Sequence, residues 1–238
     1  YKLKQAGKLN EPQSAYWTIP QPVEELYHTA QDPWELTNLA DDPAHKERLE
    51  QMRNATLNKM REIGDAGIVP ESMYESISKD GTVHDYVHDQ SFPYEEVLTT
   101  ALAAGDGENG IVDKLQTAMK HDHPVIRYWG ATGCTIQGSE AVAAMDQLKA
   151  LLNDSSPSVQ LAAAEALYSV GDKASGFDAL IEILKETSDP VVSLEALNIT
   201  QALGVMNDVP EDVWAKACEA GSYSKRMSGD QSDPNLQR

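Results

Sequence analysis

Ser156-Pro157-Ser158-Val159-Gln160-Leu161-Ala162-Ala163-Ala164-Glu165-Ala166-Leu167-Tyr168-Ser169-Val170-Gly171 is the stretch whose reading decides the fold. A proline stands in what would be a helix's first turn, where its missing N–H costs nothing. A glycine stands where a left-handed residue is often needed to close the helix. Between them small and apolar residues recur at helical spacing. The same frame returns upstream as His123-Pro124-Val125-Ile126-Arg127, then Ala131 and Gly138. It returns downstream as Asp189-Pro190-Val191-Val192-Ser193, then Ala196, Leu197 and Gly204. Pro124, Pro157 and Pro190 lie 33 residues apart, and so do Gly105, Gly138, Gly171 and Gly204. A fixed period of this length predicts stacked two-helix units rather than one closed domain.

Partner helices are expected at about residues 110–120, 141–153 and 174–186, with Leu115, Leu148 and Ile181 again 33 apart. A half-repeat from Pro93, ended by Gly105, is expected to cap one end. A helix over 210–220 is expected to cap the other, because an end repeat otherwise exposes its apolar face. Alanines at mid-helix let neighbouring helices approach closely. Cys134 falls inside this pattern and is expected to be a small buried hydrophobe. Two cysteines supply neither a disulfide framework nor a metal cluster. The proline-valine-alanine-glycine pattern resembles the HEAT-repeat family of α-solenoids, over residues 93–204. The arginine that the family favours after the valine stands only at Arg127; Gln160 and Ser193 take its place in the next two repeats.

The first 70 residues are not repetitive. Residues 43–63 read as a helix, capped by Asp41-Asp42, with Pro43 in the first turn and Gly64 at the end. Leu49, Met52, Leu57, Met60 and Ile63 fall mostly on one face. Glu24-Glu25-Leu26-Tyr27-His28 is short and alternating enough to be a strand, and Gln31-Asp32-Pro33-Trp34-Glu35 reads as a turn. Pro22-Val23-Glu24-Glu25-Leu26-Tyr27, followed by Asp32-Pro33-Trp34-Glu35-Leu36-Thr37-Asn38-Leu39-Ala40, resembles the C-terminal end of type I sulfatases. The usual pattern there is Glu-Leu-Tyr-Asp, Asp-Pro-x-Glu and Asn-Leu-Ala; His28 stands where Asp is usual. Ala6-Gly7-Lys8-Leu9-Asn10, with Gln13 and Trp17, is similar to the segment just upstream in heparan N-sulfatase-like members. Gly64-Asp65-Ala66-Gly67-Ile68-Val69-Pro70-Glu71 is similar to their exit segment. The resemblance covers about residues 5–75.

It implies a parent that hydrolyses sulfate esters or sulfamates of a glycan. Such enzymes use a formylglycine made within a Cys/Ser-x-Pro-x-Arg motif, and a calcium ion held by acidic residues. Both are expected in an N-terminal catalytic domain and not in this chain. Cys134-Thr135-Ile136-Gln137-Gly138 lacks the Pro and the Arg. Ser91-Phe92-Pro93-Tyr94-Glu95 ends in Glu, which would repel a sulfate. The chain opens at Tyr1 with no export signal, so it reads as a fragment, and the resemblance implies an exported parent, periplasmic or extracellular.

The net charge of −19 is uneven: residues 1–70 hold 8 Lys/Arg against 11 Asp/Glu, and residues 71–238 hold 11 against 27. That balance argues against nucleic acid, which needs basic clusters, and against anionic lipids or sulfated glycans at the repeats. No run of 18 apolar residues suggests a membrane span. His84 and His88 have a spacing that suits zinc, but no third ligand is evident and the stretch reads as linker. His121 and His123 sit at a repeat turn, where capping is expected. Trp17, Trp34, Trp129 and Trp214 are expected as core anchors more than sugar platforms. The sequons at Asn54 and Asn198 fall in helices, and Asn198 is expected in the repeat core.

The sequence therefore predicts a mainly α protein, a HEAT-like solenoid preceded by a small α+β region. Residues 1–70 are expected as a remnant of a sulfatase C-terminal subdomain, 71–92 as a linker, 93–221 as repeats with caps and 222–238 as a mobile tail. No catalytic, cofactor-binding or metal residue is assigned. The expected role is that of an accessory region of a sulfatase-like hydrolase. Its alanine-rich repeats would dock a catalytic domain, another protein or a second copy of the chain. The alternative is a free-standing repeat scaffold without an enzymatic parent.

Overall fold

The structure is a computed structural model that describes residues 2–15, 17, 21–106 and 110–220. The tail expected to be mobile lies outside the described residues. The chain divides into two units, Tyr1–Ile63 and Gly64–Arg238, and among the described residues both are helical without strands.

In the first unit, short helices α1 (Lys2–Gln5) and α2 (Glu11–Ala15) precede an irregular stretch and then α3 (Lys46–Ile63). The expected strand at 24–28 is absent, so the α+β character read for this region is not found. A strand needs a ladder of backbone bonds to a neighbour. Here a side chain replaces the ladder: Asn38 Oδ1 accepts from Leu26 N at 2.9 Å and from Ala40 N at 3.0 Å, while its amide donates to Glu24 O at 3.2 Å. Leu39 N donates to Leu26 O at 2.8 Å. The preceding turn is closed by Asp32 Oδ2, which accepts from Leu36 N and Thr37 N, both at 2.8 Å. Glu35 within it has φ +53°, a left-handed conformation that a non-glycine residue adopts at a cost. Asp42 accepts from Ala44 N and caps a 3₁₀ turn at Pro43–His45, which leads into α3. Gly64, at φ +57°, ends that helix as its sequence predicts.

The second unit begins with residues 64–70, expected in the sulfatase-like remnant, and 71–92, expected as a linker. Residues 66–68 and 71–73 form 3₁₀ turns, and α4 (Tyr74–Ile77) and α5 (Val83–His88) follow. Ile68, Val69, Met73, Val87 and Phe92 are buried. Apolar residues in an otherwise polar stretch anchor it against the repeats. Then come α6 (Tyr94–Asp106), α7 (Val112–Ala118), α8 (Pro124–Gln137), α9 (Met145–Leu151, after a 3₁₀ stretch at 138–144), α10 (Pro157–Val170), α11 (Lys173–Glu186), α12 (Pro190–Ala202) and α13 (Glu211–Ala220). The helix pairs are α7/α8, α9/α10 and α11/α12, with α6 and α13 at the ends.

The period of 33 becomes core registers. Ile126, Val159 and Val192 are 2%, 0% and 1% exposed, and Leu115, Leu148 and Ile181 are 1%, 0% and 6%. Cys134 shares a register with Leu167 and Thr200, all at 0%, which makes it the buried small hydrophobe expected. Gly138, Gly171 and Gly204 take positive φ at +53°, +121° and +74°. Gly105 does not; it lies inside α6, which runs one residue beyond it.

Candidate functional site

The repeat turns are built by a second register. The side chain at the first position accepts from the backbone N–H two residues on: His121 Nδ1 from His123 N at 2.9 Å, Asp154 Oδ1 from Ser156 N at 2.9 Å and Thr187 Oγ1 from Asp189 N at 3.1 Å. The histidines are thus turn residues, as expected, but only His121 bonds the turn's backbone through its side chain. His123 instead meets the Tyr86 hydroxyl at 3.0 Å through Nε2, and burial pushes its pKa down, helped by His121 and Arg127.

Arg127 crosses from one repeat to the next. Its Nε and one Nη bond both Asp154 oxygens, at 2.6 and 2.9 Å, and its other Nη donates to His121 O and Asp122 O. Gln160 keeps half of this work, donating to Asp154 O at 2.6 Å. In its own register it has nothing acidic to reach, because the residue equivalent to Asp154 is Thr187. Arg127–Asp154 is therefore the one charged rung in this register.

Helices α8, α10 and α12, which carry the buried Ala131, Ala163, Ala164 and Ala196, form one face of the stack. It is crossed by the chain itself. Trp129 Nε1 on α8 donates to Ile68 O at 2.9 Å, and the Ser72 and Ser158 hydroxyls meet at 2.6 Å where residues 71–73 pack on α10 and α12. Ser72 and Ser158 are 5% and 1% exposed. Beside this contact lie Glu165 on α10 and Glu195 on α12. Burial raises the pKa of each; Glu195 adds to the effect on Glu165, and Glu71 adds to that on Glu195, while the Ser72 hydroxyl opposes it. Tyr128 on α8 is pushed up to about 12 by burial, by Glu195 and, more weakly, by Glu165. Sequence reading missed this cluster. Its one signal was a charged residue, Glu165, inside the Leu161–Leu167 run.

On another side a groove of about 800 Å³ runs between repeats, with Leu152, Ile183 and Val192 among its apolar walls and Asp178, Glu182 and Glu186 among its acidic ones. In the first unit Trp34 stands 81% exposed in the Asp32 turn, and in the second Trp214 is 37% exposed, so neither is the core anchor expected. Trp129 is held as an anchor through its indole N–H, and Trp17 lies under Lys4 at 4.4 Å. Asn198 is exposed rather than in the core, since its register (Thr132, Glu165, Asn198) flanks the buried face; its sequon partner Thr200 is the buried residue.

The near-motifs resolve as structure. Burial pushes the Cys134 thiol up to about 12, so it is a poor nucleophile. Ser91 Oγ and N both bond Asp89 in the turn before α6. His84 and His88 stack at 3.9 Å, and His88 Nδ1 lies 2.7 Å from His84 O. Among the described residues no group of three or more His, Cys, Asp or Glu could hold a metal ion, and no helix is long and apolar enough to cross a membrane.

Comparison with known proteins adds two findings. A 71-residue segment is 39% identical to an ulvan-active sulfatase of Formosa agariphila; it makes up 30% of this chain and 12% of that protein. The chain thus spans a small part of the length of the curated relative it matches. No solved structure matches. Residues 112–203 match the family model for HEAT repeats, and the structure gives those residues the helical solenoid the match implies.

Proposed function

We propose that the chain is the C-terminal accessory region of a sulfatase-like hydrolase, with the first unit completing the fold of a catalytic domain and the solenoid serving as a docking module. The observation that carries this reading is the missing core of the first unit. Among its described residues Leu26 alone is buried. Helix α3 is 18 residues long and buries none of them, though Leu49, Leu57 and Met60 lie half-covered and Met52 and Ile63 are exposed. Most of a helix's stability in a protein comes from packing its apolar face, and α3 leaves that face largely uncovered among the described residues. The motif residues Asp32, Asn38 and Asp42 nevertheless organise the turns by side-chain bonds, and Arg53 pairs with Glu24. Such order without a core fits a piece designed to lie on something larger. The similarity to an ulvan-active sulfatase gives that larger body a chemical class.

On this reading the sulfate chemistry, with its formylglycine and calcium, belongs to a preceding domain. The parent is then an exported enzyme acting on a sulfated glycan. The excess of acidic residues beyond position 70 sets the solenoid against the glycan itself, since each close approach of sulfate to carboxylate costs about 1 kcal/mol in bulk water. Protein is the partner class this surface suits.

The test has two arms. The reading frame upstream of Tyr1 is expected to contain a Cys/Ser-x-Pro-x-Arg motif, and its absence would favour the free-standing scaffold. The chain alone is expected to leave an aryl sulfate and a sulfamate sugar intact and to pass through immobilised heparin at low salt. Turnover that survives repurification, or salt-sensitive retention, overturns the assignment of roles.

A further inference from the structure

The groove between the pairs α9/α10 and α11/α12 opens where the charged rung is missing. At the preceding junction Arg127 reaches both oxygens of Asp154 and the carbonyls of His121 and Asp122. One repeat on, the equivalent positions are Gln160 and Thr187, and both line the groove of about 800 Å³. Gln160 bonds Asp154 O at 2.6 Å, and Thr187 Oγ1 accepts from Asp189 N at 3.1 Å. Neither side chain bridges this junction as Arg127 bridges the one before it. The wall beside them is acidic. Asp178, Glu182 and Glu186 follow at intervals of four on α11 and so share one helix face. None of the lining residues is basic. Lys185 reaches Glu182 at 2.8 Å, an exposed pair of the weak kind, and among the described residues Asp178 and Glu186 form no ion pair. Leu152, Ile183 and Val192 supply the apolar part of the lining. Such a groove is the complement of a cation carried next to apolar surface, and arginine's planar fork suits carboxylates best.

We propose that this groove docks an extended segment of a partner protein, whose arginine, flanked by aliphatic residues, stands where the rung is missing. This occupant rests on the docking-module reading of the solenoid. The guanidinium faces the α11 carboxylates, and the aliphatic neighbours cover the apolar lining. The partner thus supplies from outside what Arg127 supplies from within at the previous junction. Arginine is also among the residues that most often carry the binding energy of protein interfaces. The net charge of −19 favours the approach of a basic segment, while the apolar lining selects among such segments.

The experiment is an NMR titration of the full chain at low ionic strength. The probe is an acetylated, amidated tripeptide with arginine between two leucines. The expected result is a saturable shift of the Gln160, Ile183 and Thr187 amides, with a dissociation constant on the order of 1 mM. Citrulline in place of the arginine keeps the shape and removes the charge, and is expected to bind at least about fivefold more weakly. Glu186→Gln, at an exposed position, is expected to weaken the arginine probe by about three- to fivefold. Gln160→Arg supplies the guanidinium from the chain itself and is expected to weaken the probe more than Glu186→Gln does. Shifts spread over the acidic residues of other helices, with no saturation at the groove, would mark attraction to net charge alone and overturn the proposal. Citrulline binding as tightly as arginine would overturn it too, and so would free argininamide binding as tightly as the tripeptide, because the charge or the apolar lining would then be idle. Should Gln160→Arg lose its helical circular dichroism, Glu186→Gln decides: weaker binding supports the groove, and unchanged affinity overturns it. None of these failures touches the sulfatase parent, which the motif upstream of Tyr1 decides.

Discussion

Helices α3 and α10 differ in one respect that separates the two units. Both carry apolar stripes at helical spacing, and α3 is the longer. In α10 nine of the 14 residues are buried, including Val159, Leu161, Ala163 and Leu167; in α3 none is. Periodicity therefore says that a helix has a face, not that the face is covered. Coverage comes from a neighbour, and in a solenoid each repeat brings the next as its neighbour. Unit two closes its own account in this way: α10, α11, α12 and α13 share one cluster that includes Leu161, Leu184, Val192 and Val213. The first unit has no such sequence of neighbours among its described residues.

The contrast breaks most sharply at Arg127. Its pair with Asp154 leaves the two side chains only 14% and 6% exposed. Arg127→Ala strands a buried carboxylate and removes two turn carbonyls' donor, and the expected loss is about 3–5 kcal/mol. In a unit of this size that lowers the melting midpoint by roughly 10 °C. A shift below about 2 °C would show that the rung between repeats does not hold the stack. Arg127→Lys keeps the charge but not the two-pronged geometry and is expected to fall between.

Close helix approach comes next. A Cβ added at Gly176 on α11 would sit 2.6 Å from Ala164 O and 2.7 Å from Tyr168 N, both backbone atoms of α10 that cannot turn aside. Gly176→Ala is expected to cost about 1–3 kcal/mol despite alanine's better helix propensity, and Ala164→Leu, at a fully buried position, a similar amount. Unchanged thermal melts for both variants would place the α10–α11 contact elsewhere.

How much of this was legible in the sequence depends on whether the controlling interaction is local. The repeat helices, their order and the capping glycines at 138, 171 and 204 follow from spacing, because proline and glycine act on their own backbone. Gly105 failed the same rule: α6 continues through it to Asp106, so the closing residue is not set by period alone. The strand at 24–28 failed because alternation reports a two-faced segment and not the presence of a hydrogen-bonding neighbour; Asn38, 12 residues away from Leu26, supplies the bonds instead. The packed state of residues 64–92 was hidden for the opposite reason. Its anchors, Trp129 to Ile68 and Ser158 to Ser72, join residues 61 and 86 apart, and no local pattern marks them. The Glu165–Glu195 cluster was invisible likewise: the two lie in different repeats and off register.

The smallest effect is expected in α3, and it sharpens the comparison most. Met52 lies 51% exposed on the apolar stripe of a helix with no buried residue. In this chain Met52→Ala removes little covered surface, and alanine is a good helix former, so stability should change by less than about 0.5 kcal/mol. A methionine packed in a core would instead lose about 2–5 kcal/mol on the same change. The measurement is a thermal melt of the chain followed by the same melt on a longer protein that includes the upstream sequence. If α3 lies on a catalytic domain, the substitution is neutral in the first and destabilising in the second. A loss of several kcal/mol in the chain alone would mean that the first unit already covers Met52, and the argument for an absent partner would fall with it. Neutrality in both would show that the stripe faces water in the longer protein too, and would remove Met52 from any docking face.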